Sequence, residues 1–414
     1  MRAFGVCQVS FAFESMMDEL ARALGADPLV LRRHNALRAG DTNCAGVTLA
    51  TSTGMGACLE KLAAHSHWLN RYAWQAAAAP GTRRGVGLAA VFNAMGYGGK
   101  VRDAAIAKVE LTADGRIVVH NAVADMGQGN ASAFVQIAGH ILAQDAGRVR
   151  VRQPDTATAY PSGSSSAGRT TYTFGNALIA ACEQLKARII NRAGLLLFVD
   201  DDSTLELVPG KVCHAASGRE VSLARLGGFM REEERCCIGE FVAPVCRDTG
   251  SGKGFFIGFP HVIFAYAAHL ARIEVDLATG CVRVIDYLAV TDGGAVLNPG
   301  MVEQQVQGGV AQGLGYALME DLATHHGQVL AEDFSRYVMP GSLDVPEIVS
   351  LTCGSAESTG PFGMKGVGEV AMNGPLPAVA NALADACGIA LRDAPLTAER
   401  VLHALDEREQ ESTV

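Results

Sequence analysis

One run of signals occurs twice in this chain, and it constrains the fold more than any other feature. The first copy reads Ala107-Lys108-Val109-Glu110-Leu111, a turn at Asp114-Gly115, then Ile117-Val118-Val119. A glycine loop, Asp125-Met126-Gly127-Gln128-Gly129, follows, and residues 131–142 carry helical spacing. The second copy reads Ala271-Arg272-Ile273-Glu274-Val275, a turn at Thr279-Gly280, Val282-Arg283-Val284, the loop Thr291-Asp292-Gly293-Gly294 and a helix over 302–318. Apolar alternation broken by a glycine turn predicts a hairpin, and apolar residues three and four apart predict a helix. A lone hairpin buries too little to be stable, so each copy needs helices and a neighbour. The expected fold class is therefore α+β, with two pseudo-repeated α/β units facing each other. A cleft between them receives one glycine loop from each unit and is the natural place for a large ligand.

The rest of the chain is read around that repeat. Residues 11–40 place Phe11, Met16, Leu20 and Leu24 at helical spacing, with a second short helix over 28–35 and a weaker one over 55–64. Ala76-Ala77-Ala78-Ala79-Pro80-Gly81 reads as a linker,. The expected organisation is a remnant of a first domain plus linker over 1–80, a main domain over 81–400 opening on short strands, and a tail over 401–414. An insertion of about 194–255 is expected to hold a short helix and a loop at 250–254.

Composition narrows the function. With 414 residues, 49% of them hydrophobic, the chain can bury a sizeable core,. A net charge of −9 and the lack of any Lys/Arg run argue against nucleic acid and anionic membranes as partners,. The longest apolar run, 262–268, is far short of the ~20 residues that span a bilayer, and no signal peptide is read at the start, so the expected location is cytoplasmic,. Eleven cysteines are scattered without a C-x-x-C pair, Cys236-Cys237 being the one close couple, which suits reduced thiols and no cysteine-held metal,. His65, His67, His325 and His326 lack H-E-x-x-H or any ligand spacing, so they read as surface or satisfied core residues,. Gly252-Lys253 fails as a P-loop because Arg247 replaces the leading glycine and Gly254 replaces the Ser or Thr,. Gly163-Ser164-Ser165-Ser166-Ala167 fails as a nucleophile elbow at its last position,.

Two loops remain as carriers of chemistry. Gly363-Met364-Lys365-Gly366-Val367-Gly368-Glu369 runs into Asn373-Gly374-Pro375-Leu376-Pro377 and an apolar helix over 378–386. Glycines let backbone approach a bulky ligand and prolines fit a first helical turn, so Glu369 is placed to act as an acid/base group or to complement the helix dipole. The hydroxyl-rich stretch 161–171, ending Gly168-Arg169-Thr170-Thr171 before a helix over 176–193, reads as an anion cradle or as a flexible linker,.

Taken in order, these residues resemble the molybdenum hydroxylases of the xanthine dehydrogenase and aldehyde oxidase type. The resemblance rests on Arg2-Ala3-Phe4-Gly5, Met126-Gly127-Gln128-Gly129, Gly168-Arg169-Thr170-Thr171, Gln305-Val306-Gln307-Gly308-Gly309 with Gln312-Gly313-Leu314-Gly315, Asp344-Val345-Pro346 and Lys365-Gly366-Val367-Gly368-Glu369. It covers nearly all of the chain, but only the C-terminal half of that family's molybdenum-binding subunit. It implies a molybdenum-molybdopterin cofactor, in its cytosine dinucleotide form, held without a protein ligand to the metal. It implies that Gly127, Gln128, Gly129, Ala167, Gly168, Arg169, Thr170, Thr171, Lys365, Gly366, Val367 and Gly368 bind that cofactor, with Gln305 near the metal. Glu369 becomes the catalytic base in a hydroxylation that delivers water-derived oxygen to an electron-poor carbon of an N-heteroaromatic, a purine or an aldehyde. Arg2, Phe4 and Met95 fall at substrate-binding positions.

Several positions depart from the family pattern. Ala3 replaces the usual glycine, Cys7 stands where proline is common, and Val370-Ala371 replaces Pro-Pro after Glu369. Met95 stands where xanthine-oxidising members have an aromatic wall, which weighs against sandwiching a purine,. Nicotinate-dehydrogenase-type members divide the molybdenum subunit between two polypeptides, so the expected partners are a chain supplying the N-terminal half, an iron–sulfur subunit and an FAD subunit. The competing reading is a catalytically silent or truncated scaffold.

Overall fold

The computed structural model describes residues 2–98, 102–245, 261–354 and 356–413. The loop expected at 250–254, with Gly252 and Lys253, lies outside the described residues.

Five helices come first: α1 (Val6–Ala23), α2 (Pro28–Asn35), α3 (Met55–Ala63), α4 (Ser66–Leu69) and α5 (Arg71–Ala76). The α2 start has a clear cause, since the Asp27 carboxylate accepts the N–H groups of Leu29 and Val30 and Pro28 occupies the first turn,. They lead into β1 (Thr82–Ala94), a long strand where short ones were expected. The first unit is β2 (Ala104–Leu111), β3 (Ile117–His120), α6 (Asn130–Ile141), β4 (Val149–Arg152) and α7 (Gly175–Leu197). A small lobe follows, with β5 (Leu205–Val208), β6 (Lys211–His214), β7 (Arg219–Ser222), α8 (Leu223–Phe229) and α9 (Glu232–Arg235), and then β8 (Cys236–Val242). The second unit is β9 (Phe264–Asp276), β10 (Val282–Asp292), α10 (Pro299–Leu318), the ribbon β11 (Thr324–His325) and β12 (Gln328–Val329), β13 (Glu347–Cys353), α11 (Val370–Asn373), α12 (Pro375–Cys387) and α13 (Ala398–Thr413).

The repeat extends beyond what the sequence pattern reveals. One sheet has the order β8-β2-β3-β4 and the other β1-β9-β10-β13. In each, the middle strands are the hairpin, an antiparallel strand flanks it on one side, and a parallel strand reached through a helix flanks it on the other. α7 and α12 then pack on equivalent sheet positions. Both close approaches need glycine in the flanking strand: a Cβ on Gly239 would lie 2.2 Å from the Ala177 carbonyl, and one on Gly87 would lie 2.1 Å from the Ala378 carbonyl,.

Two expected boundaries differ in the structure. β8 falls inside the stretch expected as an insertion, 194–255, yet pairs with β2 as a member of the first sheet, because its alternating residues complete the face that α7 covers. The segment 1–80 packs closely on the second unit: Leu29, Met55, Leu59, Leu62 and Trp68 lie on one face of the second sheet while α10 and α12 cover the other. The expected tail 401–414 mostly continues α13, and Val401 is buried in the second unit's core.

α1 carries a further surprise. Its inward side holds Glu14 and Asp18, which bind Arg32 of α2 at 2.7 and 3.0 Å, whereas Val9, Phe13, Met16, Leu20 and Leu24 are 47% to 68% exposed. The apolar spacing read in the sequence is therefore an outward stripe, with only Phe11 of the noted residues turned to the core.

Candidate functional site

A cavity of about 480 Å³ lies between the two units. Its walls are the two glycine loops, the Ser-rich loop before α7, the loop ending at Glu369, and one face of α10 with Arg2.

Asp125 shapes the first glycine loop. Its Oδ1 accepts the N–H groups of Gly127 and Gly129 at 3.0 and 3.2 Å and its Oδ2 accepts that of Ala131 at 3.0 Å. Burial opposes the charge, but these N–H groups outweigh it and hold the carboxyl below its usual range,. The chain can follow this path because Gly127 and Gly129 sit at φ 104° and 79°, a region that favours glycine,. Gln128 closes the loop on itself, donating to the Ala124 carbonyl at 2.9 Å. The side-chain Nδ2 of Asn130, buried and on the cavity wall, has no partner.

The second glycine loop is tied down by a buried ion pair. Asp292 Oδ1 accepts the Gly294 N–H at 2.9 Å, while its Oδ2 receives the Lys365 ammonium at 2.7 Å with both side chains fully buried. Lys365 also donates to the Ser52 carbonyl at 3.1 Å. Thus one lysine joins the Glu369 loop, the second glycine loop and the N-terminal segment. Beyond it Asn298 caps α10 by accepting the Met301 N–H, with Pro299 at the first helical position,.

The Ser-rich loop meets the Glu369 loop backbone to backbone, since a Cβ on Gly366 would lie 2.0 Å from the Gly168 carbonyl. Thr170 and Thr171 open a π-helical turn, Thr170–Phe174, that continues into α7, and both line the cavity at this helical start,.

Glu369 stands immediately before α11 on the cavity wall, and its Oε2 accepts from Asn93 Nδ2 at 2.9 Å. Arg2 lies on the same wall, donating to the Gln305 carbonyl at 3.1 Å and to Gln305 Oε1 at 3.3 Å. Burial pulls the Arg2 pKa below its usual value while the charge of Glu369 opposes the shift,. A carboxylate and a guanidinium thus share a partly enclosed space: one can take a proton, the other can orient a polar ligand.

Of the residues singled out from the sequence, Arg2, Gly127, Gln128, Gly129, Ala167, Gly168, Thr170, Thr171, Gln305, Lys365, Gly366, Val367, Gly368 and Glu369 line this cavity. Three do not. Arg169 is 1% exposed; it pairs with Asp103 at 2.6 Å and donates to the carbonyls of Ser162, Ser164 and Ala104, so its charge fastens the loop from behind. Met95 is buried against Tyr172 and Ile263, and its sulfur receives the Gly366 N–H at 3.1 Å, so it supports the loop from behind the cavity wall. Phe4 is 71% exposed, in the turn before α1. The sequence reading passed over Asp125, Asn130, Asp292 and Asn93. An Asp two residues before a glycine is an Asx-turn signal and could have found Asp125 and Asp292,; nothing local marks Asn130 or Asn93.

The site suits a large anionic cofactor bound through its organic part. The donor-bearing groups on its wall include the hydroxyl residues Ser165, Ser166, Thr170 and Thr171, the unpaired Asn130 amide and Arg2,. Among the described residues no group of His, Cys, Asp and Glu could hold a metal ion.

Comparison with known proteins points the same way. Two family models described as molybdopterin cofactor-binding domain match residues 1–36 and 61–346. The chain is 31% identical to the putative xanthine dehydrogenase molybdenum-binding subunit of Escherichia coli over 97% of its own length and 52% of that protein. It is 31% identical to the aldehyde oxidoreductase of Megalodesulfovibrio gigas over 98% of its length and 41% of that protein. Among solved structures it is similar to quinoline 2-oxidoreductase from Pseudomonas putida 86, with a TM-score of 0.82, 25% identity and coverage of 96% and 52%. The chain therefore spans about half the length of the relatives it matches, or less.

Proposed function

The chain belongs to the molybdopterin cofactor-binding domain family of the molybdenum hydroxylases, and from that premise we propose that it supplies the catalytic base and one wall of the cofactor cavity of such an enzyme. The observation that carries this reading is the presence of Glu369 and Arg2 on a wall shared with glycine loops from both units. The cofactor is the cytosine dinucleotide form of molybdenum-molybdopterin. The loops at Gly127–Gly129 and Gly168–Thr171 line its polar periphery, with the Thr170 and Thr171 hydroxyls as donors, and the Asn130 amide finds its partner there.

When bound, the cofactor supplies two-electron oxidation with transfer of a water-derived oxygen to carbon. The chain's own part is acid/base and positional. Glu369 accepts a proton at the oxygen not held by Asn93. Arg2, braced by Gln305, orients a substrate bearing a polar atom and stabilises charge that develops on it. The substrate class is an electron-poor carbon in an N-heteroaromatic or an aldehyde. Electrons leave through partner subunits that carry iron–sulfur and FAD centres.

The remaining half of the molybdenum subunit is supplied by a further polypeptide segment that covers the outward apolar stripe of α1. An exposed patch of that kind marks an interaction face. Expressed alone, the chain is expected to self-associate; expressed with a companion encoding that half, it should become soluble and carry molybdenum together with a pterin that releases cytidine monophosphate on acid hydrolysis. A co-expressed, folded complex free of molybdenum and pterin contradicts the reading and favours a silent scaffold.

A further inference from the structure

Asn93 is the penultimate residue of β1, 5% exposed, on the strand face that carries Ala89 and Val91 into the second unit's core. A carboxamide there is costly unless every polar atom is paired, and here each is. Nδ2 donates to Glu369 Oε2 at 2.9 Å and to the Ala94 carbonyl at 3.1 Å, and Oδ1 accepts from Asn373 Nδ2 at 3.3 Å. A carboxylate and a carbonyl can only accept, so the amino end must face them and the amide orientation is fixed by chemistry. Asn373, fully buried, follows Glu369 by four residues and so lies on the same side of α11,. The Asn93 amide therefore clamps both ends of one helical turn to the strand. Asn373 Oδ1 is left buried without a partner, a cost that packing alone does not explain.

From this geometry we infer that Asn93 is a positioning residue for Glu369: it engages one carboxylate oxygen and leaves the other to face the cavity, and Asn373 holds Asn93 in turn. The inference rests on the reading of Glu369 as the base. It makes the short turn after Glu369, which lacks the usual Pro-Pro, as rigid as its role requires through side-chain bonds.

The test uses the assembled, molybdenum-loaded complex. Asn93→Ala, and the isosteric Asn93→Asp, which keeps the shape but loses the donor, are expected to lower kcat per molybdenum about 10–100-fold. KM and molybdenum content stay unchanged, and a crystal structure shows the Glu369 carboxylate displaced. Asn373→Ala lowers kcat less, with the same signature, and adds little to Asn93→Ala because the two act through one chain. If the Asn93 variants do not assemble, Asn373→Ala decides alone. Wild-type kcat in Asn93→Asp, or in Asn373→Ala when only it assembles, overturns the inference while Glu369→Gln in the same complex remains inactive. Full turnover by Glu369→Gln overturns the base assignment and the inference with it.

Discussion

Lys365, on the cavity wall, shows how one side chain can tie a site together from within the protein. Its sequence context suggests a cofactor contact, yet its ammonium is spent on Asp292 and on the Ser52 carbonyl. Glycine at 54 and 354 is required beside it, since a Cβ at either would fall within about 2.0 Å of Asp292 oxygens. Removing one member of a buried pair strands the other charge, so Lys365→Met should cost about 3–5 kcal/mol of stability, measured by denaturant unfolding. The double variant Lys365→Met/Asp292→Asn should recover most of that loss; a single variant as stable as wild type would show that the pair is dispensable. Arg169 carries the same lesson: a basic residue in a hydroxyl-rich loop suggests an anion ligand, but Asp103 lies too far away in sequence for local pattern to reveal that the charge is already used.

At the scale of elements, the hairpins, glycine loops and helices of both units were legible because each is encoded locally, by alternation, turn glycines and helical spacing. The strands that complete the two sheets were not. β4 is short, β8 pairs with β2 across more than 120 residues, and β13 pairs in parallel with β10 only after a long excursion, so their identity depends on partners distant in the chain. β1 was read as short strands for another reason: Gly85 and Gly87 weaken its β signal while permitting α12 to approach,. Gly87→Ala and Gly239→Ala should each destabilise the chain by about 1–3 kcal/mol, since each forces a helix away from its sheet. Gly56→Ala, in α3 with open space around its Cβ, is the control and should be neutral or stabilising by up to about 1 kcal/mol,. Equal effects at all three positions would contradict the close-packing account.

The whole molecule is two copies of one α/β pattern, closed by an N-terminal helical segment and facing each other across a cavity. Which loops meet there could be anticipated from the repeat, and Glu369 from its glycine-rich setting. The long-range ties behind them, Asn93 to Glu369 and Asp292 to Lys365, emerge only when strands and loops far apart in the chain are assembled. The central claim is that Glu369 transfers a proton in that cavity and does not merely cap α11. Glu369→Gln retains size and most hydrogen bonding but cannot take up the proton. In the assembled complex, with molybdenum assayed in the same preparation, the rate per molybdenum should fall about 10²–10⁴-fold while metal and pterin content hold; turnover within a few-fold of wild type on that basis, or loss of cofactor with the rate per molybdenum intact, would contradict the claim.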